Sequence, residues 1–174
     1  PKDMEVCRRV MELTETWERL EAYVRGGGGL GVALGTSTHW KPGGISPVRY
    51  NTPAAQAVLP ATLNVSSKYT PPEFLDLRSA THPALKLFAD LGGAGDLATQ
   101  AIRRYWKLDP VAGSQVVANF TGEAQSPALL ERGLGQGRCL MFATALDLRQ
   151  GGWNDLPRSD WFVVFADQFV GYLA

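Results

Sequence analysis

Between Val10 and Val24 the apolar residues fall at alternating gaps of three and four: Val10, Leu13, Trp17, Leu20 and Val24. That spacing lays one stripe along a helix, while Glu12, Glu15, Glu18, Arg19 and Glu21 fill its other faces. Thr14 offers a cap for a second helix, so a break near Leu13 and Thr14 is open at this point. The helix ends at Gly26, where glycine can supply a left-handed cap. "LGVAL" at 30–34 is a short apolar run without alternation, which predicts a strand covered on both faces in a parallel sheet.

A long irregular stretch, "GTSTHWKPGGISPVRYN", follows. Asn51 or Thr52 can cap a short helix with Pro53 at its first position, running to the neighbourhood of Leu59 and Pro60. "ATLNV" and "EFLDLR" are candidate short strands, and "HPALKLFADL" reads as a helix opened by Pro83 and closed by Gly92 and Gly93. The pattern then changes. "IRRYWKL", "SQVVANF", "PALLERG" and "GRCLMFAT" are strand-like runs separated by turn chemistry. Connections this short cannot make parallel crossovers, so the four runs predict an antiparallel meander or hairpins. In "SDWFVVFADQFVGYLA" Trp161, Phe165, Phe169 and Tyr172 recur at helical spacing behind Ser159 or Asp160 as cap. That is a closing amphipathic helix.

Composition narrows the function classes. The 174 residues suit one domain with a proper core, residues 1–174, and 17 basic residues balance 17 acidic ones. A protein built to grip nucleic acid or an anionic membrane needs a basic surplus or patch, and this chain has neither. Two histidines, His39 and His82, and two distant cysteines, Cys7 and Cys139, give no metal-ligand spacing. Cys139 sits in an apolar run that reads as a buried strand, so a disulfide to Cys7 is not expected. No apolar run approaches the roughly 18 residues that span a bilayer. The chain starts at Pro1 and ends on "FVGYLA", and reads as a segment cut from a longer protein.

Gly26, Gly28 and Gly31 match the G-x-G-x-x-G spacing of a dinucleotide loop. That chemistry needs a strand, then the glycine turn, then a helix N-terminus facing the pyrophosphate. Here the order is helix, glycines, strand, which presents the wrong dipole end to an anion. Thr36, Ser37 and Thr38 follow the strand but run into Trp40, Pro42, Gly43 and Gly44 with no helix behind them, unlike a flavin phosphate loop. No G-x-S-x-G elbow occurs. An amidotransferase triad needs a cysteine on a sharp strand-to-helix elbow and a later histidine–acid pair. Cys139 stands mid-strand before Leu140 and Met141, and His82-Pro83 is followed by Ala84 where the acid would be. His82 reads as a helix-start cap, and Asp147 with Asp155 as loop carboxylates. No cofactor, metal or catalytic set is assigned.

Two blocks carry a resemblance. "LEAYVRGGGGLGVALG" resembles the L-x-x-Y-V-x-x-G-G-G-L-x-V-x-L-G helix-to-strand unit of class I glutamine amidotransferase-like domains. "LGQGRCLMFATALDLRQGGWNDLPRSDWFVVFADQFVGYLA" resembles the end of such domains in large membrane-anchored bacterial proteins, which carry an N-terminal pair of transmembrane helices and often a von Willebrand factor type A-like domain. "VRYNTPAAQAVLPATL" fits between them, and the likeness runs over residues 17–174. The strand and helix expected before "WERLEAYV" are absent or altered, which leaves the family's first strand outside this segment or replaced by its first helix.

The resemblance implies a three-layer α/β domain: a partly parallel sheet, antiparallel C-terminal strands and a closing helix. It also implies a non-catalytic structural or protein-interaction module in the bacterial cell envelope, with neighbouring domains or another protein as partner and the membrane reached only through other segments. The alternative is a small-ligand binder or degenerate hydrolase. Its pocket would follow strand 30–34 and be lined by Thr36, Ser37, Thr38, His39, Tyr50 and Asn51. Trp153, Asn154 and Asp155 are a mix that suits either a tucked loop, the favoured reading, or the tip of a candidate interaction loop.

Overall fold

The computed structural model describes residues 2–35, 49–77, 81–91, 95–147 and 152–174. Helix α1 (Lys2–Arg25) passes Leu13 and Thr14 without a break. Its end lies one residue beyond the expected cap: Gly27, at φ +109°, is the left-handed residue. The Gly27 N–H donates to the Val24 carbonyl and the Gly28 N–H reaches back to Tyr23, both at 3.0 Å. These paired bonds form a Schellman cap and satisfy carbonyls that the helix would otherwise leave open.

Strand β1 (Gly29–Ala33) runs parallel to β7 (Gly137–Phe142). The remaining ladder is antiparallel, through β6 (Pro127–Leu134), β5 (Ser114–Phe120) and β3 (Leu75–Asp76), giving the order β1-β7-β6-β5-β3. The fold is therefore α/β with a partly parallel sheet and antiparallel C-terminal strands. Residues Gly29 to Ala33 are half-buried or exposed, and the first fully buried residue comes after them, at Leu34. The two-sided cover predicted for "LGVAL" is not found, because β1 is the outermost strand of the order rather than an inner one.

A second correction concerns "IRRYWKL". This run, β4 (Ile102–Pro110), does not join the meander. It pairs with β2 (Ala61–Glu73) in a separate two-stranded sheet, from Ala61 opposite Pro110 to Glu73 opposite Ile102, with two register shifts. The partner lies some forty residues away in sequence, so the short loop to β5 says nothing about it. The Trp106 N–H donates to the Ala143 carbonyl at 2.9 Å, which ties β4 across the end of β7.

Helices cover both faces. Short α2 (Pro53–Gln56) starts where expected, capped by the Thr52 hydroxyl on the Ala55 N–H, but ends well before Leu59. It packs against α1. Arg132, pointing to that face of β6, donates to the carbonyls of Gln56 at 2.6 Å and Leu59 at 3.1 Å. On the opposite face lies α4 (Phe162–Leu173), with a 3-10 turn at Pro83–Leu85 leading into α3 (Lys86–Asp90). Ser159 prepares the entry to α4 by accepting from the Trp161 N–H at 3.1 Å, although Trp161 itself holds the cap position. Phe165 and Phe169 are buried against the sheet, where Phe165 meets Phe142 at 5.7 Å and Phe88 at 6.3 Å between ring centroids. Each such ring contributes about 2–3 kcal/mol of burial.

Gly29 and Gly31 let α4 lie this close. A Cβ at Gly29 would stand 2.0 Å from the Leu173 carbonyl oxygen, and one at Gly31 would stand 2.7 Å from the Phe169 ring. The glycine run is thus a cap followed by a smooth strand surface for a helix.

Candidate functional site

The residues singled out by sequence fall in three places. Thr36, Ser37, Thr38 and His39 lie outside the described residues. Tyr50 and Asn51 are placed, and both do structural work. The Asn51 side chain donates to the Leu63 carbonyl at 2.7 Å and accepts from the Leu63 N–H at 2.9 Å, imitating one rung of a β-ladder. The Tyr50 ring stands edge-on to Trp17 at 5.8 Å, and burial pushes its phenol above the ordinary tyrosine range.

Trp153 and Asn154 are interior residues rather than the tip of an interaction loop. The Trp153 carbonyl accepts from the N–H groups of Arg103 and Arg104. Asn154 donates to the Thr144 hydroxyl at 3.0 Å and the Ala145 carbonyl at 2.8 Å, while its own oxygen accepts from the Leu156 N–H. Asp155 is bound by Arg103 and flanked by Arg158, and the Arg103 hydrogen bond holds its carboxyl below the ordinary aspartate range. This part of the loop folds inward because the Trp153 carbonyl and the Asn154 amide find donors and acceptors there.

A cluster that sequence reading missed lies under α4. Gln115, Glu131, Leu140 and Gly31 stand in one row across the four strands from β5 to β1. Glu131 sits in the middle, its side chain only 9% exposed. Three donors reach it: His82 Nε2 at 2.6 Å and Gln115 Nε2 at 2.7 Å on one oxygen, and the Tyr172 hydroxyl at 2.9 Å on the other. Arg138 approaches at 3.9 Å and lays its guanidinium over the Tyr172 ring at 4.4 Å.

The backbone sets the His82 tautomer. Nδ1 accepts from the Ala84 N–H at 3.2 Å as the cap of the Pro83–Leu85 turn, so Nε2 carries the proton and donates to Glu131. Gln115 Nε2 also lies 2.9 Å from His82 Nε2, but two donors cannot bond to each other. The shared Glu131 oxygen accounts for that proximity. Both ring nitrogens of His82 are therefore engaged, and the imidazole offers no free lone pair to a substrate. The acid that is missing after His82-Pro83 in sequence comes from β6. The readable signal was one glutamate inside the apolar run "PALLERG".

Cys139 is on the other face. It pairs with Arg132 in the register, is fully buried and free, and burial pushes its thiol up to about 12 against a small lowering by Arg132. Among the described residues no group of three or more His, Cys, Asp or Glu side chains is placed to hold a metal ion, and no helix is long and apolar enough to cross a membrane.

A second surface feature is an apolar groove of about 490 Å³ beside β1. Its floor is Gly29 and Gly31, one wall is Tyr23 of α1, and the other is Phe169, Val170 and Leu173 of α4.

Comparison with known proteins adds the fold. The chain matches a cytoplasmic protein of Salmonella typhimurium, STM3548, with a TM-score of 0.69 at 18% identity over 91% of its residues. The fold is shared. A second Salmonella typhimurium LT2 cytoplasmic protein, STM1381, gives a TM-score of 0.66, also at 18% identity. A beta-galactosidase from Rahnella sp. R3 gives 0.54 at 15% identity. The chain spans 60% of the length of each Salmonella protein and 21% of the beta-galactosidase. No family model and no curated protein sequence matches it.

Proposed function

We infer that this chain is a non-catalytic structural or protein-interaction module on a class I glutamine amidotransferase-like scaffold. The supporting observation is the division of the reactive groups between two faces of one sheet. Amidotransferase chemistry needs a cysteine thiolate within reach of a histidine that an acid orients. Here His82 and Glu131 are paired beneath α4, while Cys139 is buried toward the α1 side with its thiol at about 12. His82 gives one nitrogen to a backbone cap and the other to Glu131, so it acts as a clamp between the 82–85 turn and β6. Parent-protein anchoring in the bacterial envelope belongs to the same reading and rests on the resemblance of the closing segment alone.

The test is direct. The purified chain is expected to show no turnover of glutamine or of activated esters above buffer. Turnover that His82→Ala abolishes would overturn the reading.

The small-ligand alternative has one observation in its favour. The Trp17 indole N–H is buried with no hydrogen-bond partner among the described residues, next to Tyr50. If that donor serves a ligand, Trp17→Phe loses binding. If it serves nothing, the substitution removes an unsatisfied buried donor and the protein melts higher.

A further inference from the structure

We propose that the outer edge of β1 is a strand-addition site, and that its occupant is an extended, uncharged segment of a partner polypeptide. The inference rests on the interaction-module reading and names the kind of partner.

The hydrogen bonds of β1 fix which of its backbone groups are spare. The Leu34 N–H donates to the Phe142 carbonyl and the Gly28 carbonyl accepts from the Arg138 N–H, so the even-numbered residues turn their amides toward β7. Successive residues of a strand turn theirs to opposite edges. Gly29, Gly31 and Ala33 therefore present N–H and C=O groups outward, where among the described residues no strand pairs with them. Gly31 and Ala33 are exposed, and Gly29 is half-buried. Donors and acceptors repeating every second residue are the complement of another extended backbone, and this selects a strand as the occupant.

The two ends of the sheet differ. At the far end β3 is two residues long and carries Asp76, and shortness and charge both blunt an edge against pairing. Strand β1 has five residues, "GLGVA", with no charge, no proline and no break in its register. This edge is left able to pair.

The apolar groove runs along the same edge. A side chain at Gly29 or Gly31 would meet Leu173 or Phe169 of α4, whereas one at Gly28 would meet Tyr23 of α1, on the other side of the sheet. The lining thus comes from both faces, and the groove wraps the margin of the sheet. An added strand alternates its side chains in the same way. One set covers Val170, 64% exposed, and the other covers Tyr23, 57% exposed. No charged side chain lines the groove, so a charge in the middle of the added strand would be desolvated without a partner. The five positions of β1 accommodate roughly 17 Å of extended chain.

The probe is a short peptide of alternating valine and threonine closed by a lysine at each end, added at about 2 mM to the isotope-labelled chain. Amide shifts and slowed hydrogen exchange are expected at Gly29, Gly31 and Ala33, with a Kd of about 1 mM or tighter. The same peptide N-methylated at every residue cannot pair through its backbone and should leave these amides unchanged. Ala33→Pro removes an outward N–H and no bond to β7, and Ala33→Lys sets a charge on the edge. Each should weaken binding at least about tenfold with an unchanged circular-dichroism melt. Absence of shifts in the wild type, equal shifts with the methylated peptide, or wild-type affinity in the folded variants overturns the proposal. So does slow exchange at these three amides before peptide is added. Exchange that quickens on dilution would make a second copy the occupant, and exchange that does not would mean that the chain closes the edge itself. A chain that takes no peptide and turns over neither glutamine nor esters loses the strand site and keeps the module reading. A chain that takes the peptide and also turns over those substrates overturns the non-catalytic reading alone.

Discussion

Glu131 and Cys139 stand on neighbouring strands and point to opposite faces of the sheet. In the β6–β7 register Glu131 is paired with Leu140 and Cys139 with Arg132, so the acid faces α4 and the thiol faces the α1 side. One residue of register separates this arrangement from one in which a cysteine, a histidine and a glutamate share a face. The same offset makes Glu131 a structural hub, and that has a measurable consequence.

Replacing Glu131 with Leu leaves His82 Nε2, Gln115 Nε2 and the Tyr172 hydroxyl without their acceptor. Two of the three can turn toward water at the edge of the cluster, and His82 cannot without losing its cap on Ala84. The expected loss is about 2–3 kcal/mol of unfolding free energy in urea. Glu131→Gln keeps one acceptor oxygen and loses less. Equal effects of the two variants would show that the carboxylate's charge-assisted bonds contribute little.

Much of this fold was legible locally. The α1 stripe, the Thr52 cap, three strands of the meander and the closing helix all follow from periodicity and turn residues a few positions apart. What was hidden was long-range. Nothing within "IRRYWKL" says that its partner is β2 rather than β5. Nothing near His82 says that its acid is 49 residues further on. For Trp153 and Asn154 the sequence left a tucked loop, the favoured reading, beside a recognition tip, because polar and aromatic residues in a loop carry no local mark of burial. Their interior placement depends on the Thr144 hydroxyl, the Ala145 carbonyl and amides from β4.

The glycine stretch separates a packing role from a ligand role by stability alone. Gly29→Ala meets backbone at Leu173, while Gly31→Ala meets the Phe169 ring, which can shift. Both are expected to destabilise by about 1–3 kcal/mol, with Gly29→Ala the larger. Gly133→Ala on β6 has open space around its new methyl and serves as the control, neutral or stabilising by up to about 1 kcal/mol. If Gly29→Ala and Gly31→Ala melt with the wild type, α4 does not lie on β1 as described.

Alkaline pH should loosen the attachment of α4. Burial, and then the bond to Glu131, hold the Tyr172 phenol above its ordinary value of 10.0. The folded state therefore resists an ionisation that the unfolded state accepts. This contribution is fully present below pH 10.0 and is lost as pH rises through the raised folded value. Tyr172→Phe removes the share carried by this residue, so the stability of the variant should fall less steeply above that pH than that of the wild type. Parallel alkaline limbs would place the titration elsewhere, with Tyr50 the other candidate.

Cys139 gives the sharpest separation between scaffold and enzyme. A working nucleophile needs a thiol that ionises near neutral pH in an open, electropositive place. Cys139 has the reverse: it is fully buried in β7, and the desolvation that lifts it to about 12 outweighs the pull of Arg132. In a Cys7→Ser background, iodoacetamide should fail to label the folded chain between about pH 7 and 9, and should label it completely once denaturant is added. The folded pKa lies above the unfolded one, so burial of the neutral thiol supports folding at neutral pH. That support is fully present below the ordinary thiol value of 9.0 and is lost as pH rises from there through about 12. Rapid labelling of the native chain near neutral pH would place the thiol in solvent as a thiolate, which no residue of the β7 core permits. The non-catalytic reading would then fail at its main support, because the sheet would no longer separate Cys139 from His82 and Glu131.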